Sequence, residues 1–173
     1  GVEEETKPPG ELPSDVYDAA CEGDEAAVVD WLDGGGHVDA RLLDEDYSPR
    51  HVTLLLAAGG RESMVELLLK RGANPDLQNE IGWNALMGAA FDGKTAVVRR
   101  LLQSRANPNL RNNNGNTALS IARQRRHGEV VRLLCESGAQ DATATSGTPH
   151  PDVASLMQMF AMFPEETAVY RMP

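Results

Sequence analysis

Two stretches of this chain, 33 residues apart, read almost as one. Residues 72–102 and 105–134 both begin with a short Ala-Asn-Pro segment. Ala85-Leu86 then aligns with Ala118-Leu119, and Val97-Val98 with Val130-Val131. Each copy holds two short helical patterns joined by a turn. In residues 95–102 the apolar side chains fall at Val97, Val98, Leu101 and Leu102, a stripe too narrow to bury itself. Alanines opposite the stripe let two helices approach closely. A unit of this size hides its stripe only by stacking on a like unit, so the repeat predicts a one-dimensional array with a shared core. Asn74-Pro75 and Asn107-Pro108 punctuate the helix ends, because proline cannot continue a helix and disfavours it at the preceding residue. Asn114-Gly115 supplies a tight hairpin tip.

The unit resembles an ankyrin repeat. Residues 79–111 carry the resemblance through Gly82, Leu86, Ala89, Ala90, Gly93, Val97, Val98, Leu101, Leu102 and Ala106. Residues 112–142 carry it through Gly115, Thr117, Leu119, Ala122, His127, Val130, Val131, Leu133, Leu134, Gly138 and Ala139. A further repeat fits Gly60, Val65, Leu67, Leu68, Gly72 and Ala73, though its opening at Asp46-Tyr47-Ser48-Pro49 lacks the hairpin glycine. A degenerate first repeat fits Ala19, Ala20, Gly23, Val28, Trp31 and Leu32. The resemblance covers residues 15–142 and implies an all-α solenoid with repeats near 15–45, 46–78, 79–111 and 112–142. Helix-turn residues Gly23, Gly60, Gly93 and Arg126 are then 37, 33 and 33 apart, which places about four inserted residues at 42–46. Arg105 stands where the family has glycine, at about 1–2 kcal/mol if the backbone there is left-handed. Met87 and Ser120 replace the usual histidine, so that residue's hydrogen bonds do not carry over.

Such repeats imply a binding surface and no reaction. Family partners dock on hairpin tips and on the inner-helix face lining the concave side. By position this selects Glu80, Ile81, Trp83, Phe91 and Asp92 in one repeat, and Asn113, Asn114, Asn116, Gln124 and Arg125 in the next. Ile81, Trp83 and Phe91 are the expected anchors, since aromatic residues dominate interface energetics. The competing reading folds Trp83 over the neighbouring hairpin and uses Phe91 to fill a gap left by the irregular repeat before it.

Net charge is −10, unevenly spread. Residues 1–46 hold 15 Asp and Glu against 2 Lys and Arg, and the remainder holds 11 against 14, giving −13 and +3. Residues 94–132 hold nine bases and a single acid, Glu129. The solenoid is therefore expected to be acidic at its first end and basic at its last. The run Arg123-Gln124-Arg125-Arg126 suits an acidic partner, but a solvated helix C-terminus favours cations by itself. Nucleic acid is disfavoured, because its binders show an overall basic footprint.

The acidic, proline-bearing segment 1–14 is expected to be disordered. After a linker at 143–151, residues 152–173 open with a Met-rich helix whose face is Val153, Leu156, Met157, Phe160 and Phe163. That helix is expected to cap the last repeat, with entry into a partner's groove as the alternative. Burial in a larger assembly through this helix is the rival to an adaptor that binds another protein. His37, His51, His127 and His150 are scattered, and neither Cys21 nor Cys135 has a partner at zinc spacing, so no catalytic site, metal or cofactor is expected. The two cysteines lie in the first and last repeats, too far apart to pair, which points to a reducing compartment. Cytoplasm or nucleus fits, as does an organelle stroma. No apolar run spans a bilayer, and a monomer is expected when the chain is alone.

Overall fold

In the computed structural model, which describes residues 10–43 and 51–140, the stripes of the repeats lie on paired helices. Helix α1 (Ser14–Glu22) pairs with α2 (Glu25–Asp33), and α3 (Leu54–Ala57) with α4 (Glu62–Lys70). Helix α5 (Ala85–Phe91) pairs with α6 (Thr95–Gln103), and α7 (Ala118–Gln124) with α8 (Gly128–Glu136). Helices α1, α3, α5 and α7 touch in succession, as do α4, α6 and α8, so the chain stacks as two helix layers. This is the all-α repeat solenoid expected from the sequence.

Helices this short are unstable alone and depend on packing and caps. Thr53 Oγ1 accepts the Leu56 N–H at 3.3 Å, Asn84 Oδ1 the Met87 N–H at 3.0 Å, and Thr117 Oγ1 the Ser120 N–H at 3.2 Å. Ser120 Oγ answers by accepting the Thr117 N–H at 2.9 Å, so a reciprocal cap occupies the place of the family's histidine. In the layer of α4, α6 and α8, buried Met64, Val65, Leu68, Val97, Val98, Leu101, Val130 and Leu134 form the core. Each contributes about 1.5–3 kcal/mol by leaving water. The facing layer buries Ala85, Gly88, Ala89 and Ala90 on α5. Small residues there let the helices of this layer approach closely, and the α5–α7 side is the one the resemblance places on the inner face.

The turns between paired helices show why glycine recurs. A Cβ on Gly93 would sit 2.6 Å from His127 Nδ1, one on Gly60 2.6 Å from Lys94 Cε, and one on Gly23 2.9 Å from Arg61 Cδ. Each turn thus lies under a side chain of the following unit. In three units the left-handed residue is the expected one: Gly23 at φ 86°, Gly93 at 68° and Arg126 at 63°. In the second unit it is Gly59 at φ 55° rather than Gly60. Helix α3 has four residues where α5 and α7 have seven, and its chain turns back one residue early, at Gly59.

Arg105 adopts φ 64° where the neighbouring units use Gly72 at 86° and Gly138 at 81°. Its side chain is exposed. Arg105→Gly is therefore expected to raise stability by about 1 kcal/mol, read as a higher urea midpoint at unchanged slope.

Two expectations about the first unit are corrected. Disorder through residue 14 does not hold for 10–14: Leu12 donates to the Arg41 carbonyl at 2.9 Å, Arg41 to that of Gly10 at 3.3 Å, and Leu12 is 1% exposed. A leucine among the acids is the reason, since burying it anchors the segment. Leu42 is likewise core rather than inserted loop. It lies in β1 (Arg41–Leu42), which pairs antiparallel with β2 (Val52–Thr53). Residues 44–50, including most of the expected insertion and the Asp46-Tyr47-Ser48-Pro49 opening, lie outside the described residues. So do the linker at 143–151 and the helix face of Val153, Leu156, Met157, Phe160 and Phe163.

Candidate partner-binding surface

Two hairpin tips among the described residues are each built on an asparagine. The Asn79 N–H donates to the Trp83 carbonyl at 2.9 Å, and Asn79 Oδ1 accepts the Trp83 N–H at 2.9 Å. Asn112 repeats both bonds with Asn116, at 2.9 and 3.0 Å. The tips are also joined to each other. Asn113 donates its N–H to the Ile81 carbonyl at 3.2 Å and its Nδ2 to that of Glu80 at 2.9 Å, while Gln78 Nε2 reaches the Arg111 carbonyl at 2.8 Å. Gly82 makes that approach possible: it holds φ 79°, and a Cβ there would lie 2.7 Å from the Asn113 backbone nitrogen.

A second ladder ties the hairpin bases. Asp39 Oδ1 accepts the Asn74 N–H at 2.9 Å, Asp76 Oδ1 the Asn107 N–H at 2.7 Å, and Asn109 Oδ1 the Gln140 N–H at 2.8 Å. Pattern reading treats Asn74-Pro75 and Asn107-Pro108 only as helix stops. The signal for the ladder is the Asp or Asn one place after each proline, at Asp76 and Asn109.

On this frame the expected site residues divide. Gln124 and Arg125 are exposed, as are Glu80 and Asn113, while Ile81, Asp92 and Asn114 are half-buried. Asn116 is buried and bound into its hairpin. Trp83 and Phe91 are not exposed anchors: they are 5% and 3% exposed, and their rings meet edge to face with centroids 6.1 Å apart. The rings bury each other beside the following unit, where Arg125 stands over the Phe91 ring.

The α7 end of the face is basic. Arg123, Arg125 and Arg126 are exposed, and the Arg125 guanidinium carbon stands 4.1 Å from the Phe91 ring centroid. His127 Nε2 lies 2.8 Å from the Phe91 carbonyl. A carbonyl only accepts, so the imidazole carries its proton on Nε2 there. Glu129 is engaged by Arg132 at 2.8 Å, which holds its carboxyl below the usual glutamate range.

The remaining chemistry is sparse. Among the described residues no three of His, Cys, Asp and Glu are grouped to hold a metal ion, and no helix is long and apolar enough to cross a membrane. Both cysteines are free thiols; burial pushes that of Cys21 up to about 11, so it is protonated at neutral pH, and Cys135 is exposed.

A family model described as ankyrin repeats, in three copies, matches residues 53–146. No curated protein matches the chain.

Proposed function

The chain belongs to the ankyrin-repeat family, whose repeats generally mediate protein–protein interaction and are typically non-enzymatic, and from that premise we propose that it is a non-catalytic module that binds a protein partner. The partner lies along the strip formed by the 80–81 and 113–114 hairpin tips and the exposed end of α7 at Gln124 and Arg125. The observation that carries this reading is the double ladder beneath the strip. Backbone and amide groups are tied from unit to unit, while Glu80, Gln124 and Arg125 stand exposed on that frame. A surface held this way loses little conformational freedom on binding, which leaves more of the contact energy as affinity.

A triple variant, Asn114→Ala with Gln124→Ala and Arg125→Ala, tests it by quantitative affinity capture. The variant is expected to keep its helicity and unfolding midpoint and to lose the wild-type partner by at least about tenfold, the scale of removing interface hot spots. Capture at the wild-type level by a folded variant would remove this strip as the site.

A further inference from the structure

Resting on that reading, we propose that the α7 end of the strip is a receptor for an acidic peptide segment of the partner, with Arg125 as its central contact. The Arg125 side chain is exposed and makes no hydrogen bond or ion pair among the described residues, while its backbone N–H donates to the Ile121 carbonyl at 3.0 Å. Its guanidinium stands over the Phe91 ring, 4.1 Å from the centroid. That ring is itself fixed, 3% exposed, edge to face with Trp83 and carried on a backbone whose carbonyl His127 engages. A guanidinium lying on a ring keeps its N–H edge open in one plane, the arrangement that grips a carboxylate through two parallel bonds.

Arg126 supplies an independent observation. It holds φ 63° at the place where the unit before has Gly93. A non-glycine there is strained, and strain kept in a fold concentrates at functional positions. Its side chain adds a second exposed cation beside Arg125. The local charge is net basic: residues 94–132 hold nine bases against one acid, Glu129, which Arg132 already engages, and Asp92 is the acid that precedes them beside Phe91. Carboxylate is favoured over a nucleic-acid backbone by the charge of the chain as a whole, −10, which repels a long polyanion.

The test is a fluorescence titration of the purified full chain with a labelled hexaglutamate peptide at physiological ionic strength. Saturable binding is expected, weakened at least about tenfold by Arg125→Ala, the loss of a charge-assisted hydrogen-bonded contact. Arg125→Lys keeps the charge but not the planar fork, and a similar loss is expected. Phe91→Leu keeps most of the packing volume and removes the ring, so affinity falls while the fold persists. Arg126→Gly is expected to raise the unfolding midpoint and lower the affinity together, which a purely structural arginine would not do.

Full affinity in Arg125→Lys would overturn the stacked-receptor geometry. Tighter binding of a single-stranded oligonucleotide than of hexaglutamate would assign the site to phosphate instead. Concentration-dependent self-association abolished by Arg125→Ala would assign it to the acidic first end of a second copy. Failure of hexaglutamate to bind a chain that still captures its partner through Asn114 and Gln124 would sink this inference and leave the broader one standing.

Discussion

Phe91→Ala is expected to destabilise the protein by about 3–5 kcal/mol, the scale for truncating a buried aromatic to alanine. That is a large part of the roughly 5–15 kcal/mol that holds a typical domain together. The ring is 3% exposed, meets Trp83 edge to face and lies beneath Arg125, so its loss opens a cavity between two units and frees both neighbours. Urea unfolding followed by circular dichroism measures the effect. An unchanged midpoint with loss of partner binding would return Phe91 to the role of interface anchor that its sequence position suggests.

Gly82→Ala carries the second large effect, about 3 kcal/mol. Left-handed backbone on a residue with a side chain accounts for about 1–2 kcal/mol of it. The remainder is the contact: the new Cβ would lie 2.8 Å from Asn112 Cα as well as 2.7 Å from the Asn113 nitrogen. Backbone cannot swing aside as the end of a lysine can, so the hairpins must separate. The bond from Asn113 to the Ile81 carbonyl would go with them. Gly115, at φ 78°, has no such neighbour, and Gly115→Ala is expected to show the conformational part alone. Equal destabilisation of the two variants, measured by urea midpoint, would mean that the tips are not packed on each other.

The contrast between these glycines marks what sequence makes legible. Features set within one unit read correctly from the period: the Val97, Val98 and Leu101 stripe, the left-handed place of Arg105, the hairpin tip at Gly115. Features set between units do not. Trp83 and Phe91 look like exposed anchors because the family carries polar residues there. Their burial comes from packing on each other and beneath Arg125 of the next unit. The shortness of α3 goes with a left-handed turn at Gly59 rather than Gly60. Asp39, Asp76 and Asn109 read as loop residues until their partners, 31 to 35 residues away, are brought alongside. Leu12 was hidden by its acidic surroundings, since composition averages over the single residue that anchors a segment.

Binding along the inner strip is tested most directly by amide hydrogen exchange of the full chain, free and with its captured partner. Slowed exchange is expected at the 80–82 and 113–116 tips and across 124–127, with exposed positions on the opposite layer, such as Gln103 on α6 and Glu136 on α8, unchanged. Protection confined to α4, α6 and α8 would contradict docking on the inner face and place the partner on the outer layer.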